Sequence, residues 1–190
     1  SVRFELPWSK EKQPKTPQDT TTPADPEIVV EPPEDHTVAE LLELHAQELS
    51  VDALKNGADT ALAQLPEEIN AVAVRMKERG GALLYASGLS AASEAGAVRA
   101  DIPASAIETL TRSSRYTIAR ISALHDSFYA QAHPAQAAVM QIQHPGYVWY
   151  DPDSTFYLAP EKEAARQYIV SIAQECAQLG FDELLFDEFT

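Results

Sequence analysis

Residues 160 to 186 most constrain what this chain can become, because they spell a helix, a stop and a short buried strand in direct succession. Pro160 suits a first helical turn, Glu161 and Glu163 complement the helix N-terminus, and Gly180 supplies a left-handed stop. Between them Ala165, Tyr168, Ile169, Ile172, Cys176 and Leu179 recur at helical spacing as one apolar stripe. The run Leu184-Leu185-Phe186 follows, short and continuously apolar. A helix that delivers the chain straight into such a strand is the second half of a β-α-β unit.

The same alternation is readable upstream. Residues 41 to 49, LLELHAQEL, alternate loosely and fit either a strand or a helix, with the strand favoured, and residues 58 to 65 suit a short helix ended by Pro66. Asn70 to Met76 is a β-branched run of strand length. Gly80-Gly81 breaks the chain, and Ala82 to Tyr85 is expected as a short extra strand. A helix over 103 to 113 and a strand over 116 to 122, YTIARIS, complete the series. Strands alternating with helices predict an α/β fold with a helix-covered parallel sheet, whose strand C-terminal ends share one edge. That edge is where such folds bind ligands, and Asp187 falls on it. Four strands are half of an eight-stranded barrel, so this chain is expected to be the front half of a longer protein, with the remaining half supplied by the rest of it.

Composition narrows the partners. With 14 Lys and Arg against 29 Asp and Glu, the net charge of −15 repels phosphate backbones and anionic lipid, so nucleic acid and membrane surfaces are poor partners. No stretch approaches the roughly 18 apolar residues of a membrane span. Residues 10 to 35 are rich in Pro, Thr, Asp and Glu and nearly free of large apolar side chains. Such a segment buries too little surface to offset its ordering entropy, and residues 1–36 are expected to form a disordered linker ahead of a folded domain at 37–190. The single cysteine, Cys176, excludes an intrachain disulfide and a cysteine-built zinc site. His125, His133 and His144 lack metal-ligand spacing, and no P-loop, dinucleotide or nucleophile-elbow motif is present. Neither a metal nor a cofactor is expected.

The C-terminal run WYDPDSTFYLAPEKEAARQYIVSIAQECAQLGFDELLFDEFT resembles the glycoside hydrolase domain of bacterial surface proteins, a TIM barrel related to the α-amylase-type barrels. The matching features are Trp149, Asp151-Pro152, the helix from Pro160, and Leu179 to Asp187. Upstream, INAVAVRMKERGGALLYAS is similar to that family's second strand and following loop, RYTIARISALHDSFYAQAHP to its third strand, and HAQELSVDAL to its first. The resemblance covers roughly residues 43 to 190. It departs at Glu188, where the family often has Tyr or Asn, and at Arg75, Lys77 and Arg79, where it often has acids.

The resemblance implies a (β/α)8 fold, with Asp187 as the strand-four nucleophile of a glycoside hydrolase. A retaining enzyme needs one ionised carboxylate beneath the anomeric carbon and a second, protonated carboxyl for the leaving group. The second is expected from strands beyond the fourth, so these 190 residues alone should be inactive. Asp187 can instead cap a helix or pair structurally with an arginine. Arg120 sits inside an apolar run, where a buried guanidinium needs a carboxylate, and Asp187 on the neighbouring strand is the expected partner. Glu188 should point away from Asp187, since side chains alternate along a strand.

The long segment from His125 to Ala159 carries aromatics and short acids, a composition that suits a glycan cleft. His125, Asp126, Trp149 and Asp151 are its candidate substrate contacts, with Tyr85, Ser87 and Glu188 outside it; aromatics of this kind also hold long loops together. The reading that follows is an extracytoplasmic glycoside hydrolase, tethered at or near the cell surface and acting on a polysaccharide. The alternatives are a carbohydrate-binding or scaffolding barrel without chemistry and, disfavoured by the long linker, an intracellular α/β enzyme acting on small sugars.

Overall fold

The computed structural model describes residues 43–189. The expected linker and the boundary at residue 37 lie outside these residues, as do the first two positions of the strand expected over 41–49. Four strands form one sheet: β1 (Ala46–Leu49), β2 (Ala71–Lys77), β3 (Tyr116–Ser122) and β4 (Glu183–Asp187). They lie in the order β1-β2-β3-β4 with every pair parallel. A parallel sheet in sequential order, with helices in its crossovers, is compatible with half of a barrel.

The connections contain seven helices among the described residues. Two short ones, α1 (Val51–Asn56) and α2 (Ala58–Ala63), follow β1. After β2 come α3 (Ser90–Glu94) and α4 (Ala104–Thr111), and after β3 come α5 (Ser127–Ala132), α6 (Pro134–Ala137) and the long α7 (Glu163–Gln178). Helix α1 starts directly after β1 because Ser50 caps it, its hydroxyl accepting from the Ala53 amide at 3.2 Å. The HAQELSVDAL segment is therefore strand only through Leu49, and its second half is helix.

Alternation along each strand sorts the side chains onto two faces. Val72, Val74, Met76, Ala119 and Ile121 belong to the main core with the helices, while Ala71, Ala73 and Ile118 form a small cluster on the other face with Leu44 and Tyr116. Helix α7 buries Ala165, Tyr168, Ile172 and Cys176 as its stripe predicts, leaving Ile169 partly buried and Leu179 exposed. Full burial of a side chain such as Ile172 stabilises by about 1.5–3 kcal/mol. The entry to β4 is tied by Asp182, whose carboxylate accepts from the Thr117 amide at 2.7 Å and its hydroxyl at 2.8 Å.

Three local expectations are corrected. Pro160 precedes α7 rather than occupying its first turn, because the helix begins after Lys162. Residues 82–85 make no strand; Leu83 forms isolated bridges to Lys77 and Val98, so the segment crosses the end of β2 without extending the sheet. The 125–159 segment is not a plain loop. It holds α5 and α6, then an antiparallel excursion with bridges Ala138–Leu158, Met140–Val148 and Tyr150–Phe156.

The ends of β2 and β3 are joined by a fully buried ion pair. Lys77 Nζ lies 3.1 Å from Asp126 Oδ2 and donates to the carbonyls of Ser122 at 2.9 Å and His125 at 3.3 Å. Asp126 also caps α5, accepting from the Tyr129 amide at 2.8 Å. Burial is the main influence on both groups, pulling Lys77 down and Asp126 up, and each is countered by the other's charge. The carboxylate fits only because residue 81 is glycine. A Cβ there would sit 2.3 Å from Asp126 Oδ1, and its φ of +100° is unfavourable for any other residue. Gly80 has a similar φ of +96° but open space around it. Gly81→Ala should therefore cost roughly 2–4 kcal/mol, against about 1 kcal/mol for Gly80→Ala, as read from urea denaturation midpoints.

Candidate active site

On the face of the sheet away from the main core, each strand contributes one charge near its C-terminal end: Glu48 from β1, Arg75 from β2, Arg120 from β3 and Asp187 from β4. Register places Arg75 directly beside Arg120. Two guanidiniums side by side on neighbouring strands repel, so the arrangement needs an anion between them. Asp187 supplies it. Its Oδ1 accepts from Arg75 Nη1 at 2.8 Å and its Oδ2 from Arg120 Nη2 at 2.6 Å. Arg120 reaches Glu48 with its other terminal nitrogen, which closes a network of two cations and two anions.

Burial alone would raise the pKa of Asp187, but the hydrogen bonds and charges of Arg75 and Arg120 outweigh it and hold the carboxyl below the usual carboxylate range. Arg120 is pulled down by desolvation and pushed up by Asp187 and Glu48, with a net rise. Asp187 is thus an ionised carboxylate at the end of β4, with about a fifth of its side chain exposed. Two arginines hold its orientation.

The expected Arg120–Asp187 pair forms. Arg75 was noted in the sequence only as a departure from an acid, yet it makes the second half of the clamp. The signal for it was a charge within the apolar run NAVAVRM, the same signal that singled out Arg120. Glu48 carried no comparable mark, since its strand is mostly exposed and mixed in composition.

Glu188 leaves strand geometry at once, with φ of 55°, so strand alternation does not govern where its side chain goes. Its Oε2 is buried, and its negative charge is felt at Lys77. It therefore belongs to the surroundings of the buried Lys77–Asp126 pair.

The structure places the remaining candidates apart from Asp187. Tyr85 is buried and its hydroxyl donates to Glu175 of α7 at 2.7 Å; Ser87 and the Gly88 amide donate to the same carboxylate. These residues fasten the segment after β2 to the helix layer, with Tyr85 itself buried and its hydroxyl engaged. Burial, with the Glu175 bond, pushes the Tyr85 hydroxyl upward. Asp126 is fully enclosed by Lys77 and the start of α5. His125 is buried as well, its ring 4.3 Å from that of Tyr157.

Asp151 organises its own turn, accepting from Tyr157 Oη at 2.7 Å and the Thr155 amide at 2.8 Å, with Arg79 at 3.7 Å. Those bonds, Tyr157 first, hold its carboxyl below the usual range. Trp149 alone of this set is substantially exposed, at 41%. It lies on a separate groove whose lining does not include Asp187. Among the described residues no group of three or more His, Cys, Asp or Glu side chains is arranged to hold a metal ion, and no helix is long and apolar enough to cross a membrane.

Residues 54–189 match the family model described as "Putative glycosyl hydrolase domain". The chain belongs to this glycosyl hydrolase family. The match spans β2, β3 and β4 with their connections, and it agrees with the family expected from the run between Trp149 and Asp187. The crystal structure of a hypothetical protein from Ruminiclostridium thermocellum ATCC 27405 is similar in fold, with a TM-score of 0.63, 26% sequence identity and coverage of 75% of each chain. No curated protein matches the chain.

The lowered pKa of Asp187 has a consequence for stability. A carboxyl held below its ordinary value of 3.8 in the folded state contributes stability above that pH and loses it as pH falls through the folded value. Asp187→Asn should destabilise the domain by roughly 1–3 kcal/mol at pH 7, the scale of hydrogen bonds to a charged group. The difference between wild type and variant should stay constant down to about pH 5 and shrink below 3.8. Chemical denaturation across that pH range measures it.

Proposed function

We propose that this domain is the β1–β4 portion of a (β/α)8 glycoside hydrolase related to the α-amylase-type barrels, with Asp187 as nucleophile. The single observation that carries the proposal is the Asp187 carboxylate, ionised and clamped at a strand C-terminal end on the sheet face away from the main core. Family membership supports a carbohydrate substrate. In the complete barrel that face becomes the interior, and its upper rim becomes the cleft. Asp187 attacks the anomeric carbon, and the glycosidic C–O bond breaks. The leaving oxygen takes a proton from a second carboxyl, which later strands provide. Arg120 and Arg75 act as positioning residues that keep Asp187 deprotonated and fix its rotamer. The Pro- and Thr-rich composition of residues 10–35 supports an extracytoplasmic setting, with the domain spaced from a cell-surface anchor and acting on a polysaccharide.

One observation favours a second reading, a carbohydrate-binding barrel without chemistry. Both carboxylate oxygens of Asp187 are already engaged by arginines, which lowers their availability for attack.

Release of reducing sugar from a polysaccharide panel by the full-length protein separates the two. If Asp187 is the nucleophile, Asp187→Asn lowers turnover by about ten-thousand-fold with the fold retained. Full-length protein that releases nothing yet is held back on a glycan gel supports the binding reading.

A further inference from the structure

We propose that the excursion after β3 carries a binding groove for a neutral polysaccharide chain, distinct from the Asp187 cluster. The inference goes beyond the catalytic reading, because binding here requires no chemistry at Asp187. The groove encloses about 670 Å3 and is lined by residues 139–143 together with Trp149 and Tyr150. That volume lies within the roughly 300–1,000 Å3 of small-molecule clefts. Trp149, Tyr150 and Ile142 are 41%, 53% and 96% exposed, which leaves the groove open along its length rather than closed around a compact ligand.

The aromatic surface is held rigidly. Trp149 packs its ring 5.2 Å from Tyr157, which Asp151 anchors, and Tyr150 packs 5.7 Å from Phe156. The backbone beneath is cross-linked by Trp149 N to Val139 O at 2.8 Å and Gln141 N to Tyr147 O at 2.9 Å. Rings fixed before the ligand arrives lose little entropy on binding it. Their exposed faces match the apolar C–H faces of pyranose rings, and the Gln141 and Gln143 amides supply donors and acceptors for hydroxyls.

The charge of the lining decides the class of occupant. Although 23% of the chain is charged, none of the seven lining residues is ionisable apart from the Tyr150 phenol. An anionic chain finds no cation there and meets a protein of net charge −15, which also excludes nucleic acid. A second protein would need about 20–30 residues a side, far more than seven. A narrow, uncharged, hydroxyl-rich polymer fits.

Affinity electrophoresis of the 190-residue chain tests this, with gels containing mixed-linkage glucan, xylan, galactomannan or, as the anionic arm, polygalacturonate. At least one neutral glycan should retard the chain while polygalacturonate does not. Trp149→Ala and Tyr150→Ala should each weaken that binding roughly tenfold, the scale of losing a buried aromatic anchor, while Trp149→Phe keeps most of it. Circular dichroism checks the fold. If Trp149→Ala unfolds the excursion, Ile142→Glu decides, because a side chain 96% exposed can change without disturbing the core and should weaken binding comparably. The inference is overturned by equal migration in every gel or by retention on polygalacturonate alone. Neutral-glycan binding that survives these substitutions, or a dimer that dissolves with them, overturns it too. Binding is read without turnover. A chain that binds but whose full-length protein releases no sugar leaves this groove standing and removes the catalytic reading; the reverse result does the opposite.

Discussion

Lys77 and Asp126 meet at 3.1 Å with neither side chain exposed to solvent, and much of the site's geometry depends on that contact. An isolated charge in such a place costs several kcal/mol, and the pair persists because each partner also makes hydrogen bonds to backbone groups. Lys77 reaches one carbonyl at the end of β3 and one just beyond it, and Asp126 takes the Tyr129 amide in the first turn of α5. One interaction thus binds the end of β2, the end of β3 and the start of the next helix. The Gly80–Gly81 break is its complement, because only a residue without a side chain lets the backbone pass so close to the carboxylate.

With those strand ends locked, Arg75 and Arg120 are held side by side, and the charge of Asp187 is required rather than incidental. The four-charge set uses one residue from each strand, so its geometry is a property of sheet order and register. A slip of one residue in any strand would turn its charge toward the helix layer and leave the others unbalanced. The basic residues at the end of β2 each find an acid: Arg75 with Asp187, Lys77 with Asp126 and Arg79 with Asp151. Their departure from the acids common in the resembling family is thus locally compensated.

The helix layer was largely legible from spacing. The stripe on α7, the β3 run and the apolar core of β2 follow from periodicities that one residue type after another obeys. Boundaries set by capping were less legible: Pro160 is a good first-turn residue, but the backbone there turns once more before α7 begins. The excursion after β3 was legible only as composition. Its aromatic rings range from the buried His125 and Tyr129, through the half-buried Tyr157, to the exposed Trp149 and Tyr150, and no periodicity separates them. Tyr85, His125 and Asp126 have the chemistry of ligand contacts, yet their polar atoms are used inside the protein.

By itself the sequence determined the α/β class, the parallel order and the position of Asp187 at a strand end, because these depend on local periodicity and on the short reach of each connection. It also determined that Arg120 must find an acid, since a guanidinium within an apolar run has no other stable state. Only the tertiary structure decided that Arg75 shares that acid, that Glu48 completes the set and that Asp126 is sealed against Lys77. Those partners are separated by 112, 72 and 49 residues respectively, and no local rule spans such distances. The physical reason is that charge pairing is settled by which side chains the folded sheet brings within a few ångströms, whereas a strand or a helix is settled by its own neighbours.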